Sequence, residues 1–176
     1  MKKGFSIIEF LVVLGIILLL AVIILPNYRA GEKQFNLQRA AYKLAQDLRR
    51  AQEMAMAAKE SQKFVPPGVP PGGYGINLVK NEEKYILYSD GDNEKYGGVG
   101  DKDEEIIELE KGVYIKDTIP SSSSFSINFK PPDPSIKIKD QAGVDKNNVT
   151  IILALKADPA KTKTITVNQA GLIEIE

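Results

Sequence analysis

The chain has 176 residues, with 23 Lys and Arg balanced by 23 Asp and Glu, and it contains neither cysteine nor histidine. That length holds one domain with a real core plus a short accessory segment, and zero formal charge gives no general electrostatic reason to bind nucleic acid. Without thiols there is no disulfide framework or thiolate metal site; without imidazole the usual general base and the Ser-His and Cys-His pairs are missing, so the sequence reads as non-enzymatic.

Residues 7–25 read IIEFLVVLGIILLLAVIIL, close to the roughly 20 apolar residues a helix needs to cross a hydrocarbon core of about 30 Å. Lys2 and Lys3 just ahead of the run favour a cytoplasmic N-terminus and export of the residues beyond the run. A cleaved secretory signal competes with this reading. Its apolar region is usually about 7 to 15 residues and precedes a small-x-small cleavage motif, which Pro26-Asn27-Tyr28-Arg29-Ala30 does not offer. A plain signal anchor leaves Glu9 unexplained, because a carboxylate at a membrane helix centre costs about 2.5–3.5 kcal/mol on insertion scales, and less near its edge. Its place near the start of the run points to a partner charge that becomes available later, and a free α-amine would serve.

Lys2-Lys3-Gly4-Phe5-Ser6-Ile7-Ile8-Glu9 closely resembles the class III signal of type IV prepilins: a basic leader ending in glycine, then phenylalanine, with glutamate fifth in the processed chain. The resemblance implies cleavage between Gly4 and Phe5 by prepilin peptidase and N-methylation of Phe5. It also implies an assembly role for Glu9 against the Phe5 ammonium of a neighbouring subunit. The partners it implies are other pilin or pseudopilin subunits, the peptidase, the membrane and an inner-membrane assembly platform. The location it implies is the cytoplasmic membrane with the head exported, and then a filament. Pro26 sits where that family has a proline that lets the helix kink; a helix stop at the membrane edge is the other reading of it.

After Gly31 a second helical pattern runs to about Ala58, with Leu37, Ala41, Leu44, Leu48, Ala51, Ala55 and Ala58 on one apolar stripe. Gln38, Arg39, Lys43, Asp47, Arg50 and Glu53 fall on its other face. Residues 65–73, VPPGVPPGG, cannot continue a helix and form a loop. Strand-patterned runs come next, at 74–79, 85–89, 105–110, 113–116, 125–129, 136–140, 149–155, 162–167 and 172–176.

The expected fold class is α+β: a long N-terminal helix, membrane half plus amphipathic half, packed on an antiparallel β-sheet head, the pilin fold. The expected divisions are a leader at 1–4, an assembly helix at 5–28, an amphipathic helix at 29–64 and a β-rich head at 65–176. Within the family, AAYKLAQDLRRAQ at 40–52 and TITVNQAGLI at 164–173 look closest to GspH/FimT-type minor pseudopilins. FimT-like proteins can bind DNA through a basic C-terminal region, so a minor tip pilin binding DNA or a surface is the second reading. Here Lys156, Lys161 and Lys163 are followed by Glu174 and Glu176, which speaks against DNA.

Asp90-Gly91-Asp92-Asn93-Glu94, followed by Asp101, Asp103 and Glu104, gathers hard oxygen donors in a glycine-rich loop, and Asp90, Asp92, Asp101 and Asp103 are candidate calcium ligands. Lys95 stands where an EF-hand loop needs glycine, so a solvated acidic turn is the competing reading. Asn148-Val149-Thr150 matches a glycosylation sequon, a triplet of low specificity.

Overall fold

The computed structural model describes residues 6–64, 66–92, 95–130 and 136–176, with the side chains of 24–30 left outside the description. Its elements are helix α1 (Ile7–Met56) and ten strands. The strands are β1 (Gly73–Val79), β2 (Lys84–Asp90), β3 (Lys102–Glu108), β4 (Val113–Ile119), β5 (Ser124–Phe129), β6 (Ile136–Asp140), β7 (Asp145–Lys146), β8 (Asn148–Leu155), β9 (Asp158–Asn168) and β10 (Ile173–Ile175). The chain divides into two compact units, Met1–Phe35 and Asn36–Glu176.

The expected α+β architecture is corrected on two counts. No helix among the described residues is long and apolar enough to cross a membrane. The head, moreover, is not one sheet. Its strands form a six-stranded sheet in the order β3-β2-β1-β5-β6-β7 and a four-stranded sheet in the order β10-β9-β8-β4. β4 pairs with β8 in the four-stranded sheet and not with β3. The short β7 is a strand that the sequence pattern does not predict, since Asp145–Lys146 carries no apolar alternation.

In the larger unit the helical stripe and both sheets share one core. Leu37, Ala41, Leu44, Leu48, Ala51 and Ala55 are buried there, with Ala40 and Ala45 widening the stripe. Alanines let a helix lie close to the strands it covers, because little side chain separates the backbones. From the six-stranded sheet Tyr74, Ile76, Leu78, Tyr85, Leu87, Phe125, Ile127 and Ile138 enter the same core; from the four-stranded sheet Ile115, Val149, Ile151, Leu153, Ile165 and Val167 do so. Each alternates along its strand with a residue on the other face, as the two-residue period of a strand requires.

Polar contacts fix the helix against both sheets. The Tyr85 hydroxyl donates to Asp47 Oδ2 at 2.5 Å, Arg50 pairs with Glu105 at 2.8 Å, and Arg49 donates to the Ile173 carbonyl at 3.4 Å. Asp47, expected on the outer face, is therefore drawn in by a tyrosine hydroxyl that needs an acceptor when buried. The helix ends in a Schellman arrangement: Lys59 N–H donates to the Met54 carbonyl and Ala58 N–H to the Ala55 carbonyl, both at 3.0 Å. Ala58, predicted as part of the buried stripe, is exposed instead and occupies the left-handed position at φ 46°.

Candidate functional site

Two regions hold the residues singled out from the sequence. The first lies in the N-terminal unit. Gly4 and Phe5, the expected cleavage pair, fall outside the described residues. At the start of α1, Ser6 N–H donates to Glu9 Oε2 at 2.9 Å and Ile8 N–H donates to Ser6 Oγ at 3.3 Å. This is a capping box: a helix leaves its first N–H groups without carbonyl partners, and Ser and Glu three residues apart supply side-chain oxygens for two of them. The negative charge also sits at the positive end of the helix dipole. The S-x-x-E spacing carried this signal in the sequence. Around and beyond Glu9 the helix exposes large apolar side chains on every side, from Ile7 at 82% through Leu18 at 65% to Val22 at 73%. The helix continues through Pro26, whose side chain is among those outside the description, as is any kink read from it.

The second region is the β2–β3 connection. Asp90 at the end of β2, Asp92 in the loop and Asp101 just before β3 bring one carboxylate oxygen each to within 4.8 Å of one another. Asp90 is fully buried, Asp101 half-buried and Asp92 exposed. Backbone N–H groups orient the carboxylates. Asp101 accepts from Gly91, Gly97 and Gly98, each at 2.9 Å, Asp90 accepts from Asp92 at 3.0 Å, and Asp92 accepts from Val99 at 2.6 Å. The glycines are demanded by this closeness. A Cβ on Gly72 would collide with the Asp90 carboxyl group, and one on Gly98 would collide with that of Asp92. Asp103, the fourth predicted ligand, lies outside the trio and accepts instead from the Tyr96 hydroxyl at 2.8 Å. Glu104 accepts from the Ser61 hydroxyl.

Beneath this loop lies the face of the six-stranded sheet turned away from the helix. The register sets Tyr88 on β2 opposite Gly75 on β1, and Gly75 opposite Asn128 on β5. Side chains directly across a pair share a face, so Tyr88, Asn128 and their i±2 neighbours Asp90 and Ser126 sit on this one. Ser126 and Asn128 alternate along β5 with the apolar Phe125, Ile127 and Phe129, and both are buried. Asn128 Nδ2 donates to the Gly72 carbonyl at 3.0 Å and to Asp90 Oδ2. Its Oδ1 is buried and accepts from no donor among the described residues, a condition that costs about 1–3 kcal/mol for an isolated acceptor. Tyr96 stands edge-on to Tyr88, with ring centroids 5.1 Å apart, and its backbone N–H donates to Ser126 Oγ at 3.1 Å. Burial first, and then the Asp90 and Asp101 carboxylates, push the Tyr88 hydroxyl well above the usual tyrosine range.

Of the C-terminal cations weighed for DNA, Lys156 is paired with Glu83, and the Lys116 ammonium beside that hairpin donates to the Pro159 carbonyl at 3.0 Å. Asn148 of the sequon is exposed at the first position of β8. No protein-family model matches the chain, and neither does a curated protein or a solved structure.

Proposed function

We propose that the chain is a structural subunit of a type IV pilus or type II secretion pseudopilus, cut by prepilin peptidase between Gly4 and Phe5 and methylated on Phe5. Its N-terminal helix segment then packs among copies of itself or related subunits. The observation that carries the reading is the uncovered apolar surface of α1 that begins at Ile7, with one carboxylate, Glu9, in its first turn. Exposed apolar area stabilises nothing until it is removed from water, at roughly 25 cal/mol per Å², and an all-round apolar helix needs partners on all sides. Neighbouring subunits in a filament supply them, and the lipid of the cytoplasmic membrane covers the segment before assembly on the inner-membrane platform.

Glu9 gives the packing its direction. In the lone chain its carboxylate is spent on Ser6 N–H; after cleavage Phe5 becomes the new terminus, and its ammonium, still charged when methylated, lies one residue away from that contact. The carboxylate of one subunit facing the ammonium of the next offsets two charges in a medium that solvates both poorly. The reading is tested by the Glu9→Ala variant in a host that carries the peptidase and platform. It is expected to be cut normally and to yield no sheared filaments, whereas filaments at the wild-type level would count against the role given to Glu9.

A further inference from the structure

We infer that one internal water molecule is held between the Tyr88 hydroxyl and the side-chain carbonyl of Asn128, on the face of the six-stranded sheet that the β2–β3 loop covers. Among the described residues both polar atoms are buried and neither has a hydrogen-bond partner. They are chemically complementary, since the phenol can donate and the carboxamide oxygen only accepts. The fold also sets them in one row. A Cβ on Gly75 would lie 2.6 Å from Cζ and from the hydroxyl oxygen of Tyr88, so the tyrosine reaches across from β2 and places its hydroxyl over β1. Asn128 is the partner of Gly75 on the far side, one strand spacing of about 4.8 Å further on.

Neither side chain is free to close on the other. Donations from Nδ2 to the Gly72 carbonyl and to Asp90 Oδ2 fix the plane of the Asn128 amide, while Gly75 beneath and the edge-on Tyr96 ring hold the ring of Tyr88. A water bridges such a pair at little cost, because it donates twice and accepts twice. Accepting from Tyr88 and donating to Asn128 leaves it one donor, and Ser126 Oγ on the same face can take it. That oxygen accepts from Tyr96 N–H at 3.1 Å and donates to Asn77 Oδ1 at 3.4 Å, which leaves it a lone pair. About three hydrogen bonds are the usual complement of a buried water. The bridge would join β2 to β5 and, through Ser126 and Tyr96, to the β2–β3 loop. This inference is independent of the filament reading, since every residue in it lies in the larger unit.

The test is nuclear magnetic resonance of the full chain in mild detergent, reading magnetisation transfer from water to the Gly75 Hα protons, which lie beside the Tyr88 hydroxyl. Laboratory-frame and rotating-frame peaks of opposite sign are expected, the mark of a bound water and not of surface hydration. The same peaks are expected in Tyr88→Phe, because Asn128 and Ser126 still hold the molecule. Peaks confined to the wild type would trace to exchange of the phenolic proton and overturn the inference, as would their absence from both proteins. Tyr88→Phe is also expected to lower Tm by about 2–4 °C, the loss of one hydrogen bond. An unchanged or higher Tm, which follows when an orphaned buried hydroxyl is removed, would overturn it too. Should Tyr88→Phe fail to fold, a crystal structure of the full chain decides: an ordered water within hydrogen-bonding distance of both atoms is expected, and a direct Tyr88–Asn128 hydrogen bond would contradict it.

Discussion

The Ser6 N–H donates to the Glu9 carboxylate at 2.9 Å, so the one charged side chain in the first turn of α1 already has a task before any neighbour arrives. Capping and filament assembly make different demands on the side chain. A glutamine at the third helical position closes a capping box as glutamate does, but it carries no charge to meet an ammonium. Glu9→Gln is therefore expected to keep the helix start, read as unchanged helical circular dichroism, and to lose filaments as completely as Glu9→Ala. Filament recovery in the Gln variant alone would assign Glu9 to capping.

Leu48 lies on the α1 stripe at 0% exposure, in the core that both sheets share. Leu48→Ala removes that packing and leaves a cavity, a change that costs about 2–5 kcal/mol. In a unit of this size the loss corresponds to a fall in Tm of roughly 5–15 °C, read by thermal unfolding followed at the β-sheet signal.

Ala58 closes α1 at φ 46°, a left-handed position where a Cβ crowds the following carbonyl. Ala58→Gly is expected to stabilise the larger unit by about 0.5–1 kcal/mol, seen as a higher urea midpoint at unchanged m-value. A lower midpoint would mean that the Ala58 methyl contributes packing.

Alkaline pH should destabilise the larger unit through its tyrosines. Burial chiefly, helped by nearby carboxylates, pushes the Tyr74 and Tyr96 hydroxyls up to about 12, and burial with the Asp47 hydrogen bond raises Tyr85 further. These groups keep their protons longer when folded than when unfolded. Below about pH 10 both states are protonated and the contribution is whole. Above that the unfolded chain ionises first, so stability falls as pH rises towards about 12. Urea midpoints should be flat from neutral pH to about 9.5 and then decline, with the decline in Tyr85→Phe shallower by about one proton.

Much of the larger unit could be read from residue order. The four-and-three spacing from Leu37 to Ala55 marks the buried stripe, and each of the nine apolar runs overlaps a strand, because burial of one face imposes its period on the sequence. What escaped has physical causes. Division into two sheets depends on which strands pair across long separations, as when β4 joins β8, and no local pattern records that. Ser126 and Asn128 alternate with apolar neighbours just as solvent-facing residues would, yet the β2–β3 loop covers them. Their small or amide side chains, where a wet face would carry Lys or Glu, were the available hint. Asp90, Asp92 and Asp101 were legible as oxygen donors, while the Asn128 carboxamide joins them only through strand register. At the N-terminus, S-x-x-E is the spacing of a helix start, while the hydrogen bond from Ser6 N–H to the Glu9 carboxylate exists only once the first turn has formed.

Mass spectrometry of the chain expressed beside an active prepilin peptidase bears most directly on the filament-subunit proposal. The expected product lacks residues 1–4 and begins at Phe5 with the added mass of one methyl group. A chain still beginning at Met1, made next to a peptidase that processes a control substrate, would contradict it.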